Sequence, residues 1–330
     1  MPPSTLLRMT APLRDAFDIP YHDIGGGDEP HSVAFVGGLH GNELNGVFVL
    51  ARLASVLRQV AEGRQAGQKL RGRILIIPAV NVLGVNTASR RWPFDGTDIN
   101  RMFPGYDGGE TTQRIAHAVL QCTRYARHRV DIHCSNLEFE ELPQVRLYAP
   151  EDEERALATL FGLPAVIECP FNTIFSSTIG HAWRACAGSN FVIQAGRAGA
   201  LQTAVCERLF RALVAFLYRI GVVEGVELAK EEEDVHFFGL KQTMPLISTT
   251  AGLFVSRLQV GRWLRGGDLI GYVYDGFSGD VRAEIHAPAN GLLSGVRRQP
   301  LLCEGDLVAR LQTVEEVAAM TDTYLPGQGQ

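Results

Sequence analysis

The sequence contains no CxxC pair. Its six cysteines, Cys122, Cys134, Cys169, Cys186, Cys206 and Cys303, are scattered, which argues against a disulfide framework and against a thiolate zinc site. There is no long basic run and the formal net charge is -5, so the electrostatic footprint of a nucleic-acid binder is missing. No apolar run approaches the roughly 20 residues of a membrane span. The opening MPPSTLLRMTAPLRDAF lacks the continuous apolar core and cleavage site of a signal peptide. These absences lead to the expectation of a cytoplasmic protein with no nucleic-acid and no membrane partner.

The composition is that of an ordinary globular chain, with 46% hydrophobic and 20% charged residues among 330. That length accommodates one large α/β domain, or a large domain with a small one. Apolar runs read as strands at Val33–Val36, Arg73–Val80, Arg129–Cys134, Val145–Ala149, Ala165–Glu168 and Phe191–Ala195. Amphipathic stretches read as helices at Leu44–Leu57, Thr111–Ala126, Glu151–Phe161, Ile179–Ala187 and Ala200–Ile220. Residues 1–30 read as an irregular entry with a turn at Gly25-Gly26-Gly27. The alternation predicts an α/β fold: a mixed, largely parallel sheet covered by helices on both faces.

The texture changes after a charge run at Glu231–Asp234. From Ala251 onward glycines, short apolar pairs and turns replace the helical pattern, and two segments echo each other. Ala251-Gly252-Leu253 resembles Asn290-Gly291-Leu292, and Gly267-Asp268-Leu269 resembles Gly305-Asp306-Leu307. We read a small C-terminal all-β module of two similar halves, giving a division into 1–246 and 247–330, with the last dozen residues as a frayed tail. A lipoyl-type carrier would need an exposed Lys at a hairpin tip, and Ala251–Leu311 contains none.

The chain is organised around Val33–Glu43, VAFVGGLHGNE. An apolar strand breaks at Gly37-Gly38 and delivers His40 and Glu43, three apart at a turn and helix start, where two side chains can converge. An imidazole and a carboxylate so placed make two-thirds of a catalytic zinc site, which uses three protein ligands and leaves a position for water. His133 in VDIHC, at another strand end, is the candidate third ligand, and Asp131 on the same strand face can accept a hydrogen bond from a ligand imidazole. The competing reading makes each His an ordinary structural residue and Asp131 a buried cap. Residues 81–109 form a long irregular stretch, which inside a compact domain is usually functional. It carries Arg90-Arg91 and then Thr97–Gly105, TDINRMFPG. Asn100 and Arg101 can grip a carboxylate, and Arg91 can stabilise an oxyanion. The competing reading is a surface loop with ordinary arginines.

Taken together, His40-Gly41-Asn42-Glu43, an Arg shortly before Asp98-Ile99-Asn100-Arg101-Met102-Phe103-Pro104-Gly105, and Asp131-Ile132-His133 resemble the succinylglutamate desuccinylase/aspartoacylase family. The likeness extends over roughly residues 30–312 and includes the C-terminal β module. It implies a zinc carboxypeptidase-like fold and one Zn2+ per chain held by His40, Glu43 and His133. It further implies Arg91 as the group polarising the scissile carbonyl, Asn100 and Arg101 as the carboxylate holders, and hydrolysis of a small N-acyl amino acid. A homo-oligomer is left open.

One position departs from the family pattern. A Glu, general base and then acid, is expected near the end of a late strand in a pattern like E-x-G. Phe191–Gly196 reads FVIQAG, with Gln194 in that place. A carboxamide takes no proton at neutral pH. Three accounts compete: an engineered Glu→Gln change, a natural loss of activity, or substitution by another carboxylate such as Glu168. The leading expectation is a zinc amidohydrolase impaired at Gln194; the alternatives are a catalytically inactive binding protein and a metallocarboxypeptidase.

Overall fold

The structure is a computed structural model that describes residues 3–11, 14–25, 30–171, 175–228 and 234–317. Gly26 and Gly27 of the expected turn, Glu231–Glu233 of the charge run and the expected frayed tail lie outside the described residues.

A 13-stranded mixed sheet forms the body of the molecule. Its centre is parallel: Val33–Gly37 lies between Ile74–Ile77 and His128–Ser135, and His128–Ser135 pairs in parallel with Ser189–Arg197. Val33–Gly37 and Ile74–Ile77 are buried at every position, which is why they read as continuous apolar runs. Antiparallel strands extend the sheet on either side. Residues expected to form an irregular entry are instead the strands Ser4–Ala11 and Arg14–Ile24, paired antiparallel, the second joining Ile74–Ile77 at His22–Ile24. Alternating polar residues in RDAFDIPYHDI masked this strand from a search for apolar runs.

Helices cover both faces of the central sheet, as expected for the fold class. On one face Leu50, Leu53, Leu213 and Phe216 of Leu44–Ala61 and Thr203–Arg219 pack on Phe35, Val130, Ile132, Phe191 and Ile193. Phe216 stacks on Phe161 with centroids 4.0 Å apart. Each fully buried side chain of this kind contributes about 1.5–3 kcal/mol. By length and composition Leu44–Ala61 could cross a membrane, against the expectation that no such run exists; in this fold its apolar side is spent on the sheet. On the opposite face Val36 and Ile77 meet Trp92, Ile99, Ile115, Val119 and Trp183. Trp92, Ile99 and Phe103 are buried and pin the long 81–109 stretch onto the sheet.

Strand alternation then dictates which side chains share a face. Val130 and Ile132 point into the first core, so Asp131 and His133 point to the other side. By the same count Val192 and Gln194 share that side, since Phe191 and Ile193 face the first core. The register sets His133 beside Gln194 and Gln194 beside Gln144. The strand Phe139–Tyr148 runs antiparallel to Ser189–Arg197.

The C-terminal strands continue the large sheet. Gly291–Arg297 pairs with Phe139–Tyr148, then with Leu307–Thr313, which pairs with Thr243–Ile247. A second sheet joins Gly252–Ser256 to Leu269–Tyr274, Val281–His286 and Leu301–Leu302. The sequence echo is visible: each half sets its Gly-Leu strand antiparallel to its Asp-Leu strand, Leu253 facing Tyr274 and Gly291 facing Thr313.

His128 opens the strand that carries Asp131 and His133. It is buried, its Nδ1 has no hydrogen-bond partner among the described residues, and its ring meets Phe216 edge-on at 5.8 Å. Burial, with Arg127 and Arg129 adding to it, lowers its pKa from 6.5 to about 4. The unfolded chain therefore binds this proton more readily than the folded one. Stability from neutral His128 is complete above about pH 6.5 and is lost as the pH falls toward about 4. Urea unfolding at neutral pH and near pH 4.5 should show an acid loss on the order of 2 kcal/mol that His128→Gln lacks. An equal acid loss in both forms would remove His128 from the account.

Candidate metal centre

The turn after Val33–Gly37 has little room. Gly38 has φ +58, a conformation L side chains rarely adopt. A Cβ on Gly41 would lie 2.0 Å from the Gly84 carbonyl carbon. Glycine at both positions lets the chain turn under the Val82–Asn86 helix and present His40 inward.

Glu43 is the N-cap residue of Leu44–Ala61, yet its side chain makes no capping hydrogen bond. It turns to the imidazoles instead. His40 Nδ1 lies 2.7 Å from Glu43 Oε1, and His133 Nδ1 lies 3.0 Å from Glu43 Oε2, which also accepts the Cys134 backbone N–H at 2.9 Å. One ligand atom from each of His40, Glu43 and His133 falls within 4.8 Å of the others. All three residues are at least nine-tenths buried.

The far nitrogens are also engaged. His40 Nε2 is 3.1 Å from Asp98 Oδ1, and His133 Nε2 is 2.7 Å from Asp131 Oδ2. An Nε2–H donated to a carboxylate fixes the tautomer that leaves Nδ1 bare, the arrangement in which metal-ligating histidines are held. Two Nδ1 atoms and a carboxylate, each backed in this way, fit a divalent metal such as zinc. Without a metal the cluster is held by protons. Burial opposes a charged His133, but Asp131 and Glu43 outweigh it and push its pKa up to about 10. Burial likewise opposes ionised Glu43, and the two imidazoles overcome it to hold the carboxyl well below its usual range. Burial opposes ionised Asp98 too, and His40, followed by Arg90 and Arg101, outweighs it and lowers its pKa.

The structure separates the two adjacent arginines. Arg91, expected at the reacting carbonyl, is exposed, while Arg90 reaches Glu43 Oε1 at 3.3 Å and Asp98 Oδ2 at 3.6 Å. The buried Trp92 fixes the local orientation, so the position next to it faces solvent and the one before faces the cluster. Asn100 is buried; its Oδ1 accepts the Ile179 N–H at 3.0 Å and its Nδ2 lies 3.4 Å from His133 Nε2. Its carboxamide thus ties the 99–101 turn to the Ile179–Trp183 helix. Arg101 is half-buried, donates to the Asn100 carbonyl at 3.0 Å, and has its pKa lowered by burial, partly offset by Asp98. Gln194 stands on the strand beside His133 with its residue 8% exposed, enough to reach the cleft. Glu168 does not join them. It pairs with Leu147, whose side chain faces the opposite core, and its carboxylate binds Arg155 at 2.7 Å. Substitution for Gln194 by Glu168 is thereby contradicted.

Asp98 and Arg90 were not singled out from the sequence, although Asp98 opens the DINR motif and Arg90 adjoins the residue chosen.

A sheet with two imidazoles and a carboxylate gathered at its strand ends defines an α/β protein with a candidate metal centre. The sequence model of the Succinylglutamate desuccinylase/Aspartoacylase catalytic domain matches residues 30–217, and the chain belongs to that family. An N-alpha-acetyl-L-2,4-diaminobutyric acid deacetylase of Halomonas elongata is 27% identical over 312 residues, 90% of this chain and 86% of the relative. A succinylglutamate desuccinylase of Silicibacter sp. TM1040 shares the fold at TM-score 0.76 and 23% identity, covering 94% of each chain. The product-bound ectoine utilization protein EutE (DoeB) of Ruegeria pomeroyi does so at TM-score 0.72 and 23% identity, covering 90% of this chain and 89% of that one. The Halomonas deacetylase and the Silicibacter desuccinylase are by name deacylases, which hydrolyse amides.

Zinc titration against a competing chelator tests the cluster. His133→Ala should abolish tight binding, and Asp131→Asn should weaken it about 10- to 100-fold by loosening the His133 ring. Parental affinity in both variants would mean that these residues do not hold the metal.

Proposed function

We propose that this chain is a zinc-dependent amidohydrolase that cleaves a small N-acyl amino acid. The observation that carries the reading is the convergence of His40, Glu43 and His133 within 4.8 Å, with both imidazoles backed by carboxylates. His40, Glu43 and His133 would hold the ion. Zinc, when bound, supplies Lewis acidity and water activation near neutral pH.

The chain's own residues do the rest. Arg90, beside Glu43, is placed to receive negative charge developing on the substrate carbonyl oxygen, as a preorganised guanidinium does. Arg101, on the turn that Asp98 caps, pairs with the substrate carboxylate, and Asn100 holds the turn that aims it. The leaving amine needs a proton as the C–N bond breaks. Gln194 occupies the position from which a carboxyl would deliver it, and a carboxamide carries none to give. Turnover is therefore slow in the chain as it stands. Gln194 also favours a second reading, a binding protein that holds such a ligand without hydrolysing it.

Two experiments address these roles. With zinc content held equal, Arg90→Ala should lower kcat about 10²- to 10³-fold, while Arg91→Ala should stay near parental activity; the reverse order would restore Arg91. Gln194→Glu should raise hydrolysis of N-acyl amino acids by about 10²- to 10⁴-fold. Ligand binding without hydrolysis in both forms would establish the second reading in place of the first.

A further inference from the structure

The strand end beyond Gln194 is held by polar side chains that the proposed chemistry does not use. Asn45 is fully buried, close after Glu43 in the same helix start. Its Nδ2 donates to the Ala195 carbonyl at 3.2 Å and to Gln202 Oε1 at 3.3 Å, while its Oδ1 accepts the Gln202 N–H at 2.9 Å. Gln202 Oε1 also accepts the Arg197 N–H at 2.7 Å. At its other end, Gln202 Nε2 donates to Glu140 Oε1 at 2.6 Å, and Glu140 Oε2 accepts Arg298 Nε. Arg298 donates onward, from Nη1 to the Leu258 carbonyl at 3.1 Å and from Nη2 to Gln259 Oε1 at 2.7 Å. A continuous line of hydrogen bonds thus runs from the helix start beside the candidate metal centre to the C-terminal strands. It passes the acid–base position on the way, and it ends between Gly252–Ser256 and Trp263–Leu264.

The line has a direction. A carboxamide carries a donor at one end and an acceptor at the other, so its neighbours select one of two orientations of similar shape. A carboxylate only accepts. Glu140 therefore requires the Nε2 of Gln202, which turns Oε1 back toward Arg197 and Asn45. That oxygen in turn requires the Nδ2 of Asn45 and leaves Asn45 Oδ1 for the Gln202 N–H. A reversed Gln202 would lose its bonds to Glu140, Arg197 and the Asn45 Nδ2 together. Glu140 is itself held, since its side chain is 13% exposed and divides its oxygens between Gln202 and Arg298.

The two peptide groups gripped at the near end, the Ala195 carbonyl and the Arg197 N–H, flank Gly196. Its φ of +73 makes the bend directly after Gln194. Further on the backbone has anchors of its own: the Ala198 and Gly199 N–H groups donate to the Ser135 and Asn42 carbonyls at 3.0 and 2.8 Å. Losing the side-chain line would therefore loosen the bend and leave the strand in place.

We propose that Glu140 is a positioning residue: acting through Gln202 and Asn45, it fixes the bend at Gly196 and with it the reach of residue 194 toward the candidate metal centre. This rests on the amidohydrolase reading. It adds that the C-terminal strands serve the reacting centre, by holding Glu140 through Arg298.

A reciprocal exchange of side chains tests the direction of the line. Glu140→Gln leaves one oxygen for two donors, and Gln202→Glu sets two carboxylates against each other. In the double variant Glu140→Gln with Gln202→Glu every partner returns. The new carboxamide donates to the new carboxylate and accepts from Arg298, and that carboxylate still accepts from Asn45 and Arg197. Amide hydrogen exchange on the zinc-free chain reads the bend without turnover. The Arg197 and Gln202 N–H groups should exchange about tenfold or more faster in each single variant and at the parental rate in the double variant. Kinetics are measured on the zinc-loaded chain carrying Gln194→Glu, where residue 194 can move a proton. Each single variant should lower kcat about 10- to 100-fold through misplacement, with KM and zinc affinity unchanged, and the double variant should restore kcat.

Parental exchange in both single variants overturns the line of bonds. Faster exchange with unchanged kcat overturns its bearing on residue 194, and so does a double variant as slow as the singles. If a single variant fails to fold, the double variant decides: it must fold with parental exchange and kcat, and its failure overturns the proposal. No turnover in any form, the Gln194→Glu chain included, overturns the amidohydrolase reading and the positioning role with it. Restored exchange in the double variant would then still establish the hydrogen bonds themselves.

Discussion

The buried carboxylate of Glu43 is the contact on which the site depends. It joins His40, His133, the Cys134 backbone and Arg90, four groups from three segments of the chain. Taking a carboxylate out of water costs several kcal/mol unless every lone pair finds a partner. Here the partners are two imidazoles, a peptide N–H and a guanidinium. The start of Leu44–Ala61 adds the partial positive charge of a helix N-terminus. Glu43 gives up its capping bond for this role, a loss typically worth about 1 kcal/mol. Local helix stability is thus exchanged for a tertiary junction.

That junction is transmitted to the neighbouring strand by Asn45. Its Nδ2 donates to the Ala195 carbonyl at 3.2 Å and its Oδ1 accepts the Gln202 N–H at 2.9 Å. Gly196, with φ +73, has no space for a side chain: a Cβ there would lie 2.3 Å from Gln202 Oε1 and 2.7 Å from Asn45 Nδ2. The residue before the Ala195–Gly196 bend is Gln194. One helix start therefore positions both the carboxylate of the candidate metal centre and the strand end on which the acid–base position lies.

How far the sequence could be read follows from the range of each signal. VAFVGG and VDIHC carry their roles locally, because an apolar strand that stops at a turn announces both its burial and its end. The central strands and His40, Glu43 and His133 were legible for that reason, and Asp131 follows from strand alternation. Orientation within a loop is not local. Arg90 and Arg91 are adjacent and chemically equal, and the burial of Trp92 against Phe17, centroids 5.6 Å apart, decides which one faces the cluster. Phe17 lies on a strand that the sequence reading took as irregular, so the information was spread over two segments. Glu168 failed for a related reason: a strand end places a residue near the site only if its parity is right, and it shares its face with Leu147. Glu140, Gln202 and Arg298 gave no local signal at all, since they meet only across distant segments of the chain.

The sheet itself sets the distances between these parts. From His133 to Gln194 to Gln144 is one strand step each, about 4.8 Å per step, and a neighbouring row runs from Gly196 through Glu141 and Gly295 to Arg310. Under the proposed reading the metal ligands and the acid–base position occupy the parallel centre, whose strands are buried on both faces and have little freedom.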